Sequence, residues 1–261
     1  MGRGVSGSPG DYLAETVGGM TVGSLFTGIG GMDRGLEAAG HVIRWQVERD
    51  EFCRRVLART WPGVPCHDDV RTVGAQNLER VDCIAGGFPC QDISYAGAGM
   101  GLDGARSGLW FEFARIISEL RPQIVLVENV AALLTRGMGD VLGTLASLGF
   151  DAEWSDLSAC AVGLPHMRRR VFIVAYANGE HGWPRLRDSV ARAFRPLQTV
   201  NGFEGARARA RSRLANPSAL YRGADGVPRG GDRNRAIGNA VCPDVAQWIG
   251  ERLAEVERGA A

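Results

Sequence analysis

Strand-like and helix-like segments alternate along the first two thirds of the chain, and this alternation constrains the fold more than any other feature. Short β-rich apolar runs predict strands at residues 21–26, 42–47, 81–85, 124–127 and 171–177. Segments with helical apolar spacing separate them, at residues 33–39, 51–60, 109–120 and 139–148. The pattern predicts an α/β fold with a doubly wound, mostly parallel sheet. Ligands of such sheets bind beyond the carboxyl ends of the strands.

The length and composition fit one large domain with a small addition. Of the 261 residues, 45% are hydrophobic and 23% are charged, as is typical of soluble proteins. No apolar run approaches the roughly 20 residues of a membrane helix. The six cysteines form no C-x-x-C pair and no zinc-like grouping with the four histidines, which argues against a metal or disulfide framework. We expect a cytoplasmic protein with reduced thiols, and a flexible extension at residues 1–19.

Basic charge is concentrated in one segment, although the formal net charge is only +1. Residues 180–235 contain 12 arginines and five acidic residues, so this segment carries +7 and the remainder carries −6. Such a segment predicts a polyanionic partner. We expect a catalytic domain at residues 20–177, a short basic region at 178–234, and a loop and helix at 235–256 that return to the domain.

A glycine-rich loop, FTGIGG at residues 26–31, follows the first predicted strand. Its glycines allow a ligand to approach backbone amides at the start of a helix. It is not a dinucleotide fingerprint, because Asp33 stands where G-x-G-x-x-G needs its third glycine. Glu48 ends the second strand and can accept hydrogen bonds from ribose hydroxyls, and Asp69 can accept one from an adenine amino group. Taken alone, the glycines are also explained by a tight turn without a ligand, and Glu48 and Asp69 are also explained as ordinary surface acids.

Two further strand ends carry residues with chemical potential. In GGFPCQDIS, residues 86–94, Cys90 lies in a loop of glycine and proline, whereas a lone cysteine is usually a small buried residue. Glu128 ends the apolar run IVLV, where it is either a strand terminator or a positioned acid. A thiol nucleophile and a carboxylic acid are complementary tools for catalysis.

An arginine cluster and a turn complete the set of unusual segments. In GLPHMRRRVFIVA, strand alternation directs Arg168 and Arg170 the same way, although three consecutive arginines often form a solvated face. RAIGNAV, with Asn239, precedes the last predicted helix. Taken alone, RAIGNAV is a helix-capping signal.

In order and spacing, these segments resemble the DNA (cytosine-5)-methyltransferase family. The resemblance covers residues 21–177 and 235–256. FTGIGG is similar to the S-adenosylmethionine loop, GGFPCQDIS to the nucleophile loop, VENV to the glutamate motif and RAIGNAV to the closing motif. PCQ followed by ENV about forty residues later is the most specific part. The resemblance implies a Rossmann-like, class I S-adenosylmethionine-dependent fold.

The resemblance also implies the reaction and the residues that carry it. Cys90 would attack C6 of a cytosine flipped out of double-stranded DNA, so that C5 accepts the methyl group. Glu128 would hydrogen-bond the N3 and amino edge of the ring, Arg170 would contact O2, and Arg168 would support the site. Seven residues would hold S-adenosylmethionine: Phe26, Gly28, Gly30, Glu48, Asp69, Leu109 and Asn239. Of these, Glu48 would bind the ribose and Asp69 the adenine.

The sequence departs from the family pattern at two places. His166 stands where the family has a glutamine, and the target-recognition region at 178–234 is short. The run ARARARSRL, residues 206–214, would hold DNA phosphates by charge and favour short-site or relaxed recognition. We expect a monomer that uses no metal and has no membrane association, with a cognate restriction endonuclease as a candidate partner.

Three other functions remain open on the sequence. A nicotinamide dehydrogenase would share the sheet but would give PCQ and ENV no purpose. A tRNA cytosine-5 methyltransferase would keep the chemistry, but the Cys-Phe-Thr element of those enzymes is absent. A catalytically silent nucleic-acid-binding relative would be expected to lack Cys90 or Glu128, and both are present.

Overall fold

The computed structural model describes residues 19–89, 108–164, 166, 168–177 and 236–260. Cys90, residues 1–18 and the basic region at 178–234 lie outside the described residues. Within these ranges, no helix has the length and apolar character needed to cross a membrane.

Seven strands form one sheet in the order β3-β2-β1-β4-β5-β7-β6. They are β1 (Thr21–Leu25), β2 (Val42–Val47), β3 (Cys66–His67), β4 (Cys83–Gly86), β5 (Ile124–Val130), β6 (Phe150–Ser158) and β7 (Arg169–Ala177). Neighbours from β3 to β5 are parallel, and β7 is antiparallel to both β5 and β6. This confirms the α/β, mostly parallel fold. From β1 the chain adds β2 and β3 on one side of the sheet, and then returns to add β4 and β5 on the other side. The strand order therefore reverses between β1 and β4, and sheets of this kind open a crevice for ligands at that point.

Helices cover both faces of the sheet. They are α1 (Gly31–Ala38), α2 (Glu51–Thr60), α3 (Gly108–Leu120), α4 (Leu133–Arg136), α5 (Met138–Ser147) and α6 (Pro243–Ala260). Side chains of β5 alternate between the two cores: Val125 and Val127 pack in the cluster that contains α3, and Ile124 and Leu126 in the cluster that contains α1 and α6. The sheet is therefore buried on both faces, as the continuous apolar strand runs predict.

The last helix is fastened to the start of the sheet by a buried histidine. His41 is 2% exposed; its Nδ1 accepts a hydrogen bond from Met20 N at 3.2 Å, and its Nε2 lies 2.9 Å from Gly250 O. Because a carbonyl can only accept, Nε2 carries the proton and the ring is neutral. His41 thus links β1, β2 and α6.

The structure differs from the predicted elements mainly at the antiparallel edge. Residues 42–47 and 51–60 have the predicted bounds, whereas β7 begins at Arg169 and β6 was not predicted. β6 is an edge strand with the polar sequence FDAEWSDLS, and its Trp154 is 49% exposed. Its apolar content is too low for a buried-strand signal, because β7 is its one partner among the described strands. The two-residue β3 is too short to give a pattern.

Candidate active site

A cavity of about 510 Å³ opens at the carboxyl ends of β1, β2, β4 and β5. The predicted site residues that line it are Phe26, Gly28, Glu48, Asp69, Leu109, Glu128, Arg170 and Asn239. Gly30 and Arg168 are not among the lining residues. Cys90 lies outside the described residues, but Gly86 to Pro89, which lead to it, line the cavity.

The loop after β1 is held in a strained conformation. Phe26 has a φ of 53°, in the left-handed region, which costs a non-glycine residue roughly 1–2 kcal/mol. Its ring stacks on Phe113 with the centroids 6.2 Å apart. Strain of this kind is typical of functional sites, where the surrounding structure maintains it.

Glu48 connects the end of β2 to this loop. Its Oε2 accepts a hydrogen bond from Gly28 N and its Oε1 accepts one from Asp50 N, both at 2.7 Å. A carboxylate has about four acceptor positions, so both oxygens retain capacity for a ligand hydroxyl. The backbone contacts fix the direction of the carboxylate at the cavity wall.

Gly30 serves packing rather than the cavity wall. A Cβ at this position would lie 2.3 Å from a ring atom of Trp61. Gly30 is therefore needed because the start of α1 lies directly against the residue that follows α2.

Asp69 lies on a short turn that α3 holds in place. Its Oδ1 accepts a hydrogen bond from Arg71 N at 3.0 Å. Arg115 of α3 donates to Val70 O at 3.0 Å and to Val73 O at 2.9 Å. Because the same helix begins next to Leu109, Arg115 ties two cavity-lining segments together.

The sequence interpretation did not single out Arg115, although a signal was available. Its acidic partners on α3 are Glu112, at 2.8 Å, and Glu119, at 2.7 Å. The i,i+3 and i,i+4 spacings of these charges on a predicted helix mark a fixed guanidinium.

Glu128 and Arg170 meet across the β5–β7 pair. The register pairs Glu128 with Phe172 and Val130 with Arg170, so Glu128 and Arg170 are on the same face of neighbouring strands. Arg170 Nε lies 3.0 Å from Glu128 Oε1. This contact is close enough for an ion pair but is not aligned as a hydrogen bond, and Oε1 has no hydrogen-bond donor among the described residues.

Burial controls the charge of Glu128. The residue is 7% exposed, and burial raises its pKa to about 7, against the opposing effect of Arg170 and Arg168. A carboxyl with this pKa is partly protonated at neutral pH and can donate a hydrogen bond. Gly87 permits this position, because a Cβ there would lie 2.7 Å from Glu128 Oε2.

Asn129 fixes the segment that leads to Cys90. It is 3% exposed, and its Nδ2 donates to Phe88 O at 3.0 Å. The sequence interpretation assigned Asn129 no role of its own. A polar residue inside a strand with buried neighbours was the available signal.

Arg168 supports the cavity from outside its wall. Its Nη2 donates to Gly238 O and to Ala240 O, each at 2.7 Å. These carbonyls flank Asn239, so Arg168 connects the start of β7 to the turn before α6. His166 is exposed.

The family model for C-5 cytosine-specific DNA methylase matches residues 20–199. The chain is 38% identical over 164 residues to Type II methyltransferase M2.BsuMI of Bacillus subtilis, covering 60% of this chain and 42% of that protein. It is 32% identical over 209 residues to Type II methyltransferase M.AquIA of Picosynechococcus, covering 68% of this chain and 84% of that protein.

Among solved structures, the chain is similar to a protein encoded within an E. coli prophage and described as a DNA modification methyltransferase. The TM-score is 0.52 at 27% identity, over 60% of this chain and 47% of that one. The chain spans about half the length of most of the curated relatives compared with it. On the extent of the family match, this chain belongs to the C-5 cytosine-specific DNA methylase family.

Proposed function

We propose that this protein transfers a methyl group from S-adenosylmethionine to C5 of a cytosine in double-stranded DNA. The observation that carries the proposal is one cavity in which a buried acid of raised pKa, Glu128, lies beside Arg170, and which Glu48 and Asp69 also line. Type II DNA methyltransferases are among the relatives of the chain.

The residues of the cavity fit S-adenosylmethionine. Glu48 presents acceptors for ribose hydroxyls, and Asp69 presents one for an amino group. Phe26 and Leu109 supply apolar surface for an adenine ring, and Asn239 is an exposed residue of the cavity lining. When bound, S-adenosylmethionine supplies an electrophilic methyl group; the residues named here would bind and orient it.

The other residues would act on the cytosine. The Cys90 thiolate would form a bond from sulfur to C6, which makes C5 nucleophilic toward the methyl group. After methylation, transfer of the C5 proton to water would re-form the C5–C6 double bond and release Cys90 as thiolate. Protonated Glu128 would donate to N3, so that negative charge does not build up on the ring. Arg170 would contact O2. An ordinary thiol has a pKa of about 8.5, and nearby guanidinium groups favour the reactive thiolate.

Recognition would rest on the basic region at 178–234. Its arginines suit phosphate contacts, which position a protein on DNA without specifying sequence. A monomer in the bacterial cytoplasm, acting with a cognate restriction endonuclease, would fit the Type II relatives.

A covalent trap tests the proposal directly. A 5-fluorocytosine duplex, incubated with the protein and S-adenosylmethionine, should give an adduct that survives denaturing electrophoresis, because fluorine at C5 cannot leave as a proton does. Cys90→Ala should give none. An adduct on tRNA but not on DNA would favour the tRNA alternative, and the absence of any adduct would favour a nucleic-acid-binding protein without activity.

A further inference from the structure

Asp33 is a buried carboxylate in the helix that follows the glycine-rich loop, and it does not line the cavity. Asp33, in the first turn of α1, is 0% exposed and is not a lining residue. Its Oδ1 accepts a hydrogen bond from Ser24 Oγ at 2.6 Å, and its Oδ2 accepts one from Gln46 Nε2 at 2.7 Å. Ser24 and Gln46 are 1% and 0% exposed. The three side chains therefore form a buried polar network, and its Ser24 also belongs to the lining of the cavity.

Each member of this network lies close in sequence to a part of the cavity lining where the cofactor would bind. Ser24 of β1 precedes Phe26 by two residues, and Gln46 of β2 precedes Glu48 by two. Asp33 is carried by the helix that the glycine loop starts. The network thus joins the three elements whose relative position sets the distance between the glycine loop and Glu48.

We propose that Asp33 is a positioning residue for S-adenosylmethionine, holding β1, β2 and α1 in the arrangement that binds the cofactor. The inference rests on the proposed function. Buried hydrogen bonds to a carboxylate are stronger than those between neutral groups. A loop held in its binding conformation before the ligand arrives binds more tightly, because the competent state is more highly populated.

The charge of Asp33 has a cost that a purely structural core residue would avoid. Burial raises its pKa to about 6, with the bonds from Ser24 and Gln46 opposing the shift. Gln46 Oε1 is also buried without a hydrogen-bond partner among the described residues. A nonpolar residue at position 46 would remove this unsatisfied oxygen but would leave Asp33 Oδ2 without its donor, so the free energy of unfolding of such a variant is measured beside its affinity for the cofactor.

Four variants separate positioning from general packing. Asp33→Ala removes both hydrogen bonds. Gln46→Met removes one of them with a side chain of similar size; the unsatisfied Gln46 Oε1 is lost and Asp33 Oδ2 loses its donor. Asp33→Asn is the rescue variant: its Oδ1 still accepts from Ser24, and rotation of the Gln46 amide lets Gln46 Oε1 accept from Asn Nδ2. Asp140→Ala is the control, because Asp140 occupies the first turn of α5 but is exposed and does not line the cavity.

The measurement is binding of S-adenosylhomocysteine to the full chain by calorimetry at about pH 8, with methyl transfer measured at saturating S-adenosylmethionine. Asp33→Ala should raise Kd by about tenfold. Gln46→Met should raise it by about threefold, which corresponds to half the loss of binding free energy in Asp33→Ala. Both should keep the wild-type kcat. Asp33→Asn and Asp140→Ala should bind within about twofold of the wild type.

Two results would overturn the inference while the proposed function stands: unchanged cofactor affinity in Gln46→Met and Asp33→Ala, or binding by Asp33→Asn as weak as that of Asp33→Ala. If Asp33→Ala does not fold, as judged by circular dichroism, Gln46→Met decides alone. A wild-type protein that binds no S-adenosylhomocysteine would overturn the proposed function, and this inference with it.

Discussion

Replacing Glu128 with glutamine should stabilise the protein at alkaline pH while lowering the proposed methyl-transfer activity. The carboxyl is 7% exposed, and burial raises its pKa from 4.5 to about 7. The folded state therefore holds this proton more tightly than the unfolded chain does. Between these two pKa values the unfolded chain binds fewer protons, so the free energy of unfolding falls as the pH rises.

The size of the effect follows from the shift in pKa. A difference of about 2.5 pH units corresponds to about 3 kcal/mol at 1.36 kcal/mol per unit. The free-energy cost of ionising Glu128 in the folded state is small at about pH 4 and reaches its full value above about pH 8. Glutamine has the same shape and stays neutral, so the variant lacks this dependence. Its stability relative to the wild type should increase by about 2.5 kcal/mol between about pH 5 and about pH 8.

Urea unfolding at several pH values measures the effect, because other titrating groups cancel in the difference between variant and wild type. Glu79→Gln is a matched control, because it makes the same change at a surface carboxyl: Glu79 pairs with Arg44 at 2.8 Å, and its side chain is 54% exposed. Loss of the acid should lower kcat by about 10²- to 10⁴-fold. Parallel unfolding curves for Glu128→Gln and the wild type would refute the reasoning.

Three further predictions concern residues that hold the site in place. Arg115→Ala should raise the KM for S-adenosylmethionine by about tenfold with kcat unchanged, because Val70 O and Val73 O lose their charged donor; an unchanged KM would contradict this role. His41→Ala should lower the free energy of unfolding by about 3 kcal/mol, because Met20 N and Gly250 O lose their buried partner; urea unfolding measures it, and a loss below about 1 kcal/mol would count against the link to α6. Asn129→Ala should slow formation of the 5-fluorocytosine adduct by about tenfold, since Phe88 O is released, and S-adenosylhomocysteine binding should stay unchanged; a matching loss of cofactor affinity would contradict a local effect.

The fold was predictable where strands are buried on both faces. Residues 124–127 lie in β5 as predicted, because burial on both faces leaves the continuous apolar run IVLV. The same logic could not find β6, whose exposed edge carries polar residues such as Asp151 and Glu153. The antiparallel direction of β7 depends on β6, so it was also out of reach.

The site was predictable only as a set of strand ends. Glu128 and Arg170 each follow or begin an apolar run, and the sheet edge brings them together. The sequence patterns of the two strands do not reveal that β5 pairs with β7. This pairing brings Glu128 and Arg170 to within 3.0 Å. Likewise, Asp33 counted only as an interruption of a glycine motif, because its partner Gln46 is 13 residues away. Long-range contacts of this kind depend on the packed fold.

The antiparallel pairing of β5 with β7 makes the proposed activity depend on strand alignment. Because alternate residues face opposite sides of a sheet, sliding β7 by one position would turn Arg170 away from Glu128. Such a misfolded product would retain its secondary structure, and therefore its circular dichroism spectrum, yet have no working site. The fraction of refolded protein that carries out the proposed methyl transfer would then report how often β5 and β7 pair in the correct alignment.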